Sequence, residues 1–136
     1  MGFRKKVVKG FTDAYLRAER RLVVDLLRNG RLTRGEWQEI ADSLNEIAQK
    51  YSEDQIDNSR FLQDRKQIER QIVGERREKK QGLTGEEART LYESYRQRHQ
   101  PVMEQAFHNS GRNTFYFIYK LPVVKTRYMI TGLRMQ

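Results

Sequence analysis

The 136-residue chain carries 27 Lys and Arg against 18 Asp and Glu, for a net charge of +9 and an isoelectric point near 10.0. That balance points to a polyanionic partner: nucleic acid first, then an anionic membrane surface or an acidic protein. Cysteine is absent, which excludes disulfides, thiolate catalysis and zinc–thiolate sites together, and 37% apolar with 33% charged residues predicts one elongated domain with a thin core.

The charge is uneven along the chain. Residues 1–30 sum to +5, 31–75 to −3, 76–110 to +2 and 111–136 to +5, so the two ends are the expected contact surfaces and the middle the scaffold. No apolar run has the length of a membrane helix, and Arg4, Lys5 and Lys6 precede only Val7 and Val8. Neither membrane insertion nor a signal peptide is expected.

The first stretch, residues 1–11, places Phe3, Val7 and Phe11 at four-residue steps among Arg4, Lys5, Lys6 and Lys9. It predicts a basic N-terminal arm, either an amphipathic helix or an extended tail, with Gly10 weighing against the helix. Thr12 is the expected cap of a helix carrying Tyr15, Leu16, Ala18, Leu22, Val23, Leu26 and Leu27 and stopping at Asn29 and Gly30. Arg17, Arg20, Arg21 and Arg28 lie largely off that stripe.

The most complete helix signal is Thr33 to Tyr51. Trp37, Ile40, Ala41, Leu44, Ile47, Ala48 and Tyr51 form one apolar stripe, Thr33 with Glu36 fits a capping box, and Leu32 is placed to staple onto Trp37. A loop of a few residues separates it from the preceding helix, so the two are expected to pair as an antiparallel hairpin.

Ser52 with Gln55 reads as a weaker capping box for a third helix, from about Glu53 to about Lys80. Its apolar residues are sparse, Arg65 suits an exposed pair with Glu69, and Arg76, Arg77, Lys79 and Lys80 form a basic cluster at its end. Gly82 is expected to stop it. Leu83, Thr84 and Glu87 then repeat the capping solution of Leu32, Thr33 and Glu36, opening a fourth helix with Ala88, Leu91, Tyr92, Tyr95, Val102, Met103, Ala106 and Phe107. Pro101 is expected to bend or break that helix near His99.

From residue 111 the period changes. Thr114–Leu121 and Lys125–Thr131, separated by Pro122, predict a short basic, aromatic C-terminal β-hairpin. The fold class is therefore mainly α: elongated helical hairpins or a bundle of about four helices, divided into an arm (1–11), a helical domain (12–110) and the hairpin (111–136).

Catalytic motifs are missing. His99 and His108 have no partner at metal-ligand spacing and are read as structural or surface residues, and Glu36, Glu39, Glu86 and Glu87 complement helix dipoles in first turns. No phosphate loop, nucleophile elbow or calcium loop is present, so neither an enzyme nor a cofactor or metal site is expected. The bases of the N-terminal end have few acids near them, and those of residues 111–136 have none in their segment. The candidate phosphate contacts are Arg4, Lys5, Lys6, Lys9, Arg17, Arg20, Arg21, Arg76, Arg77, Lys79, Lys80, Arg112, Lys125 and Arg127. Tyr116, Tyr119 and Tyr128 suit packing better than base stacking.

In the arm Phe3 to Phe11 and the helices Thr12 to Asn29 and Thr33 to Tyr51, the chain resembles the DNA-wrapping coat proteins of filamentous archaeal viruses. The resemblance implies packaging of duplex DNA by many subunits without sequence readout, with Arg17, Arg20, Arg21 and the arm lysines facing phosphates, in an intracellular or virion location. It also implies a homo- or hetero-oligomer. A winged-helix regulator and an adaptor or inhibitor of an acidic protein are the alternative readings.

Overall fold

The computed structural model describes residues 2–73 and 80–110, which form four helices: α1 (Gly2–Arg28), α2 (Arg34–Ser52), α3 (Asn58–Val73) and α4 (Gly85–Ser110). The mainly helical class is as expected. The expected β-hairpin lies outside the described residues.

The helix starts follow local chemistry. The Thr33 hydroxyl accepts from the Glu36 amide while the Glu36 carboxylate accepts from the Thr33 amide, completing the capping box, and both Leu32 and Trp37 are buried. Thr84 and Glu87 repeat the exchange at α4. The start of α3 differs from expectation. Ser52 belongs to the last turn of α2, and Asp57 caps α3 by accepting from the Arg60 amide at 2.8 Å.

Two other boundaries move as well. α1 runs without a break through residues 2–11, so there is no structural border at Phe11, and Gly10 is an exposed helical residue. Thr12 is not a cap: its hydroxyl is buried within α1 and donates to the Val8 carbonyl. Pro101 does not break α4. It sits on the exposed side, where water can satisfy the Gln97 carbonyl that its missing amide leaves free.

The arrangement corrects the expected α1/α2 hairpin. α4 packs on both helices, antiparallel to α1 (Phe11 against Phe107, Glu19 against Tyr92) and parallel to α2 (Arg34 near Glu87, Asn45 near His99). α2 and α3 form the antiparallel hairpin instead, closed by the stacked rings of Tyr51 and Phe61, 4.5 Å apart. The cause is bulk on α4. Tyr92, Tyr95, Met103 and Phe107 supply what both apolar stripes need, and Trp37 alone meets Tyr92 at 5.8 Å and Tyr95 at 5.1 Å. Each such buried side chain contributes about 1.5–3 kcal/mol.

α3 meets α1 through side chains. Arg65, read from sequence as an exposed partner of Glu69, is fully buried; its guanidinium donates to Glu19 at 2.7 Å, lies over the Tyr15 ring, and reaches His99 Nε2 at 3.3 Å. Since Arg only donates, Nε2 accepts, and the proton sits on Nδ1, which donates to Asn45 Oδ1 at 3.0 Å. The single proton of the Tyr92 hydroxyl is shared between two acceptors, the Leu16 carbonyl at 2.9 Å and the Glu19 carboxylate at 3.0 Å. Four helices thus converge on one polar knot.

The Tyr95 hydroxyl is buried beside Glu19 without a hydrogen bond of normal geometry. Burial first, then the Glu19 carboxylate, push the Tyr92 and Tyr95 hydroxyls well above the ordinary tyrosine range. The folded state therefore holds their protons where the unfolded chain releases them. Their contribution is fully present below about pH 10 and is lost as pH rises beyond it. In an alkaline titration, tyrosinate absorbance from Tyr92 and Tyr95 is expected to emerge only together with loss of helical circular dichroism. Their ionisation in a still-folded protein would contradict the buried placement.

Candidate nucleic-acid interface

α1 presents the cations. At about 100° per residue, Lys6, Lys9, Arg17, Arg20, Arg21 and Arg28 fall within about a third of the helix circumference, opposite the arc that buries Val8, Tyr15, Leu22 and Leu26. Lys5, Lys6, Lys9, Arg17, Arg21 and Arg28 are exposed and make no ion pair with a described carboxylate. Arg20 is half-exposed and lies 3.7 Å from Glu93.

The acids of α1 do little to cancel this field. Glu19 is buried against Arg65, and Asp13 turns towards α4, where it accepts from Gln100 and lies 3.5 Å from Arg96. Only Asp25 remains exposed on the helix. From Lys6 to Arg28 the cations extend over about 33 Å of rigid helix, a length that offers several phosphates a contact at once.

A second segment joins them at one end. Residues 80–83 run back along the C-terminal end of α1, with the Lys80 amide donating to Gly30 O and the Leu83 amide to Leu27 O, both at 2.9 Å. This strap places exposed Lys80 next to the Arg28 end of the face. Arg4 lies on α1; Arg76, Arg77, Lys79, Arg112, Lys125 and Arg127 lie outside the described residues.

The residue missed by the sequence reading is Arg28, seven positions beyond Arg21 and thus on the same stripe. Its signal was available in that spacing. The polar knot was also marked in the sequence: Glu19 sits on the Tyr15–Leu22–Leu26 stripe, Arg65 on the Phe61–Leu62–Ile68 stripe and His99 on the Tyr92–Tyr95–Met103 stripe. A charged or imidazole residue on an apolar stripe calls for a partner on another helix.

Among the described residues no cluster has metal-binding composition, and no helix is long and apolar enough to cross a membrane. Two shallow adjoining grooves between α2 and α4 share Asp42, Asn45 and Arg98, a mixed-charge lining. No family model, curated protein or solved structure matches the chain.

Proposed function

We propose that this chain is a structural, non-catalytic nucleic-acid-binding protein that grips the phosphate backbone of duplex DNA through α1 and assembles with copies of itself, in the manner of a coat or packaging protein. The observation that carries the reading is the exposed cationic face of α1, whose basic side chains, Arg20 with Glu93 excepted, make no ion pair with a described carboxylate. Such a face reads charge, not bases. A recognition-helix role for α4, as a winged-helix regulator would need, fits poorly with a helix that buries Tyr92, Tyr95, His99 and Met103 between its neighbours.

The test is the salt dependence of binding to a random duplex, followed by fluorescence anisotropy. Wild-type affinity is expected to fall steeply with salt and to vary little with sequence. Replacing Lys6, Lys9, Arg17 and Arg21 together with Ala is expected to flatten the log–log slope by about 3–4, near 0.9 per lost contact. An unchanged slope would remove α1 from the interface. Tight binding to an acidic protein with none to the duplex would replace nucleic acid as the partner.

A further inference from the structure

α1 and α2 end in the same backbone device with different residues at the critical position. In each, the chain reverses through a left-handed residue whose successor's amide bonds five positions back: Arg31 to Leu26 O after Gly30 (φ +78°), and Gln55 to Lys50 O after Asp54 (φ +58°). Gly30 takes that conformation freely. Asp54 does not, because its Cβ crowds the backbone there.

The linker it begins, Glu53, Asp54, Gln55, Ile56 and Asp57, contains neither glycine nor proline. Nothing in its composition forbids a helix. Straightened, it would fuse α2 and α3 into one helix over residues 34–73, about 60 Å long.

The packing makes that change consequential. Among the described residues, the three extensive helix interfaces, α1 with α4, α2 with α4 and α2 with α3, all join the first pair of helices to the second. So do the bonds of the strap to α1, the Glu19–Arg65 pair and the Asn109 side chain on the Ser52 carbonyl. Among the described residues, neither α1 with α2 nor α3 with α4 makes an extensive interface. Each half is complementary to the other, and the same surfaces are satisfied equally when the second half comes from another molecule.

From these observations we infer that the chain forms an intertwined dimer by exchanging its halves, α1–α2 of one copy closing on α3–α4 of the other, with residues 53–57 as the hinge. Exchange recreates every interface between the halves and removes the left-handed Asp54 from both copies. It gives up the Asp57 cap of α3 and the turn's own hydrogen bonds, so the balance is close and set at the hinge. The inference deepens the self-assembly part of the proposed function, and it stands apart from phosphate binding because no cation of the α1 face takes part.

The experiment is done without nucleic acid. Light scattering after size exclusion over a range of protein concentrations is expected to show a dimer that Asp54→Ala strengthens and Asp54→Gly weakens about ten-fold or more in dissociation constant. Glycine both relieves the turn and disfavours the fused helix, and each dimer contains two hinges. The absence of native cysteine allows paired spin labels at Glu46→Cys and Gln63→Cys, two exposed sites on α2 and α3. With labelled chains diluted in unlabelled protein, the within-chain distance in the dimer fraction is expected to lengthen to about 25 Å or more, the rise of a continuous helix.

A dimer that keeps the short distance, or one indifferent to Asp54, would overturn exchange in favour of surface docking. A monomer at every concentration, with Asp54→Ala included, would overturn it altogether. Loss of duplex binding in the α1 variant with dimerisation intact would count against the phosphate reading alone.

Discussion

Replacing Arg65 with Met is expected to destabilise the protein by about 3–5 kcal/mol, lowering the midpoint of thermal unfolding by about 10–20 °C. Met has a similar length and no charge, so the loss reports on the ion pair more than on a cavity. With the guanidinium gone, Glu19 keeps the Tyr92 hydroxyl but lies buried without its cation, and His99 loses the donor that fixes its tautomer. The double variant Glu19→Leu with Arg65→Met removes both charges at once and is expected to be more stable than Arg65→Met alone, because an apolar replacement of a buried pair is often near neutral. Urea denaturation followed by circular dichroism measures both. A single-variant cost under about 1 kcal/mol would mean that water reaches Glu19 in solution.

The knot also explains why much of the fold was readable and its central pairing was not. Capping is local: Thr33 with Glu36, and Thr84 with Glu87, lie within one turn, so residue type and spacing suffice to identify them. The stop at Asn29 and Gly30 is local for the same reason. The spacing of Arg65 to Glu69 is local and visible in sequence, whereas its burial against Glu19 on another helix is decided only in the assembled bundle. Periodicity identifies the apolar face of a helix and does not name the helix that covers it.

The same limit accounts for the α1/α2 hairpin. A short loop favours neighbours in sequence as neighbours in space, but here the strap at residues 80–83 and the aromatic side of α4 occupy the place α2 would take. The α1 cations were legible individually. Their merger into one face required knowing that the helix continues from Gly2 through Gly10 to Arg28, since a border at Phe11 would have separated Lys6 and Lys9 from Arg17 and Arg21.

Gly30→Ala is expected to produce the second large loss, about 3–4 kcal/mol. A Cβ built at residue 30 would stand 1.7 Å from the Lys80 carbonyl oxygen and 2.6 Å from its carbon, and φ there is +78°. The left-handed conformation alone costs an L-residue about 1–2 kcal/mol. Relief of the contact requires the strap to move, which weakens the bonds from Lys80 N to Gly30 O and from Leu83 N to Leu27 O, together about 2 kcal/mol. Gly82 meets the same crossing from the other side, where an added Cβ would stand 1.7 Å from the Arg28 carbonyl oxygen, so its replacement acts in the same direction. Gly10→Ala supplies the opposite sign within the same protein. It is an exposed helical site with nothing within 4 Å of the added carbon, and Ala there is expected to stabilise by up to about 1 kcal/mol. Urea denaturation of the three variants measures all of this. Near-equality of Gly30→Ala with wild type would show that the strap is not packed on α1 in solution, and Lys80 would then leave the cationic face as well.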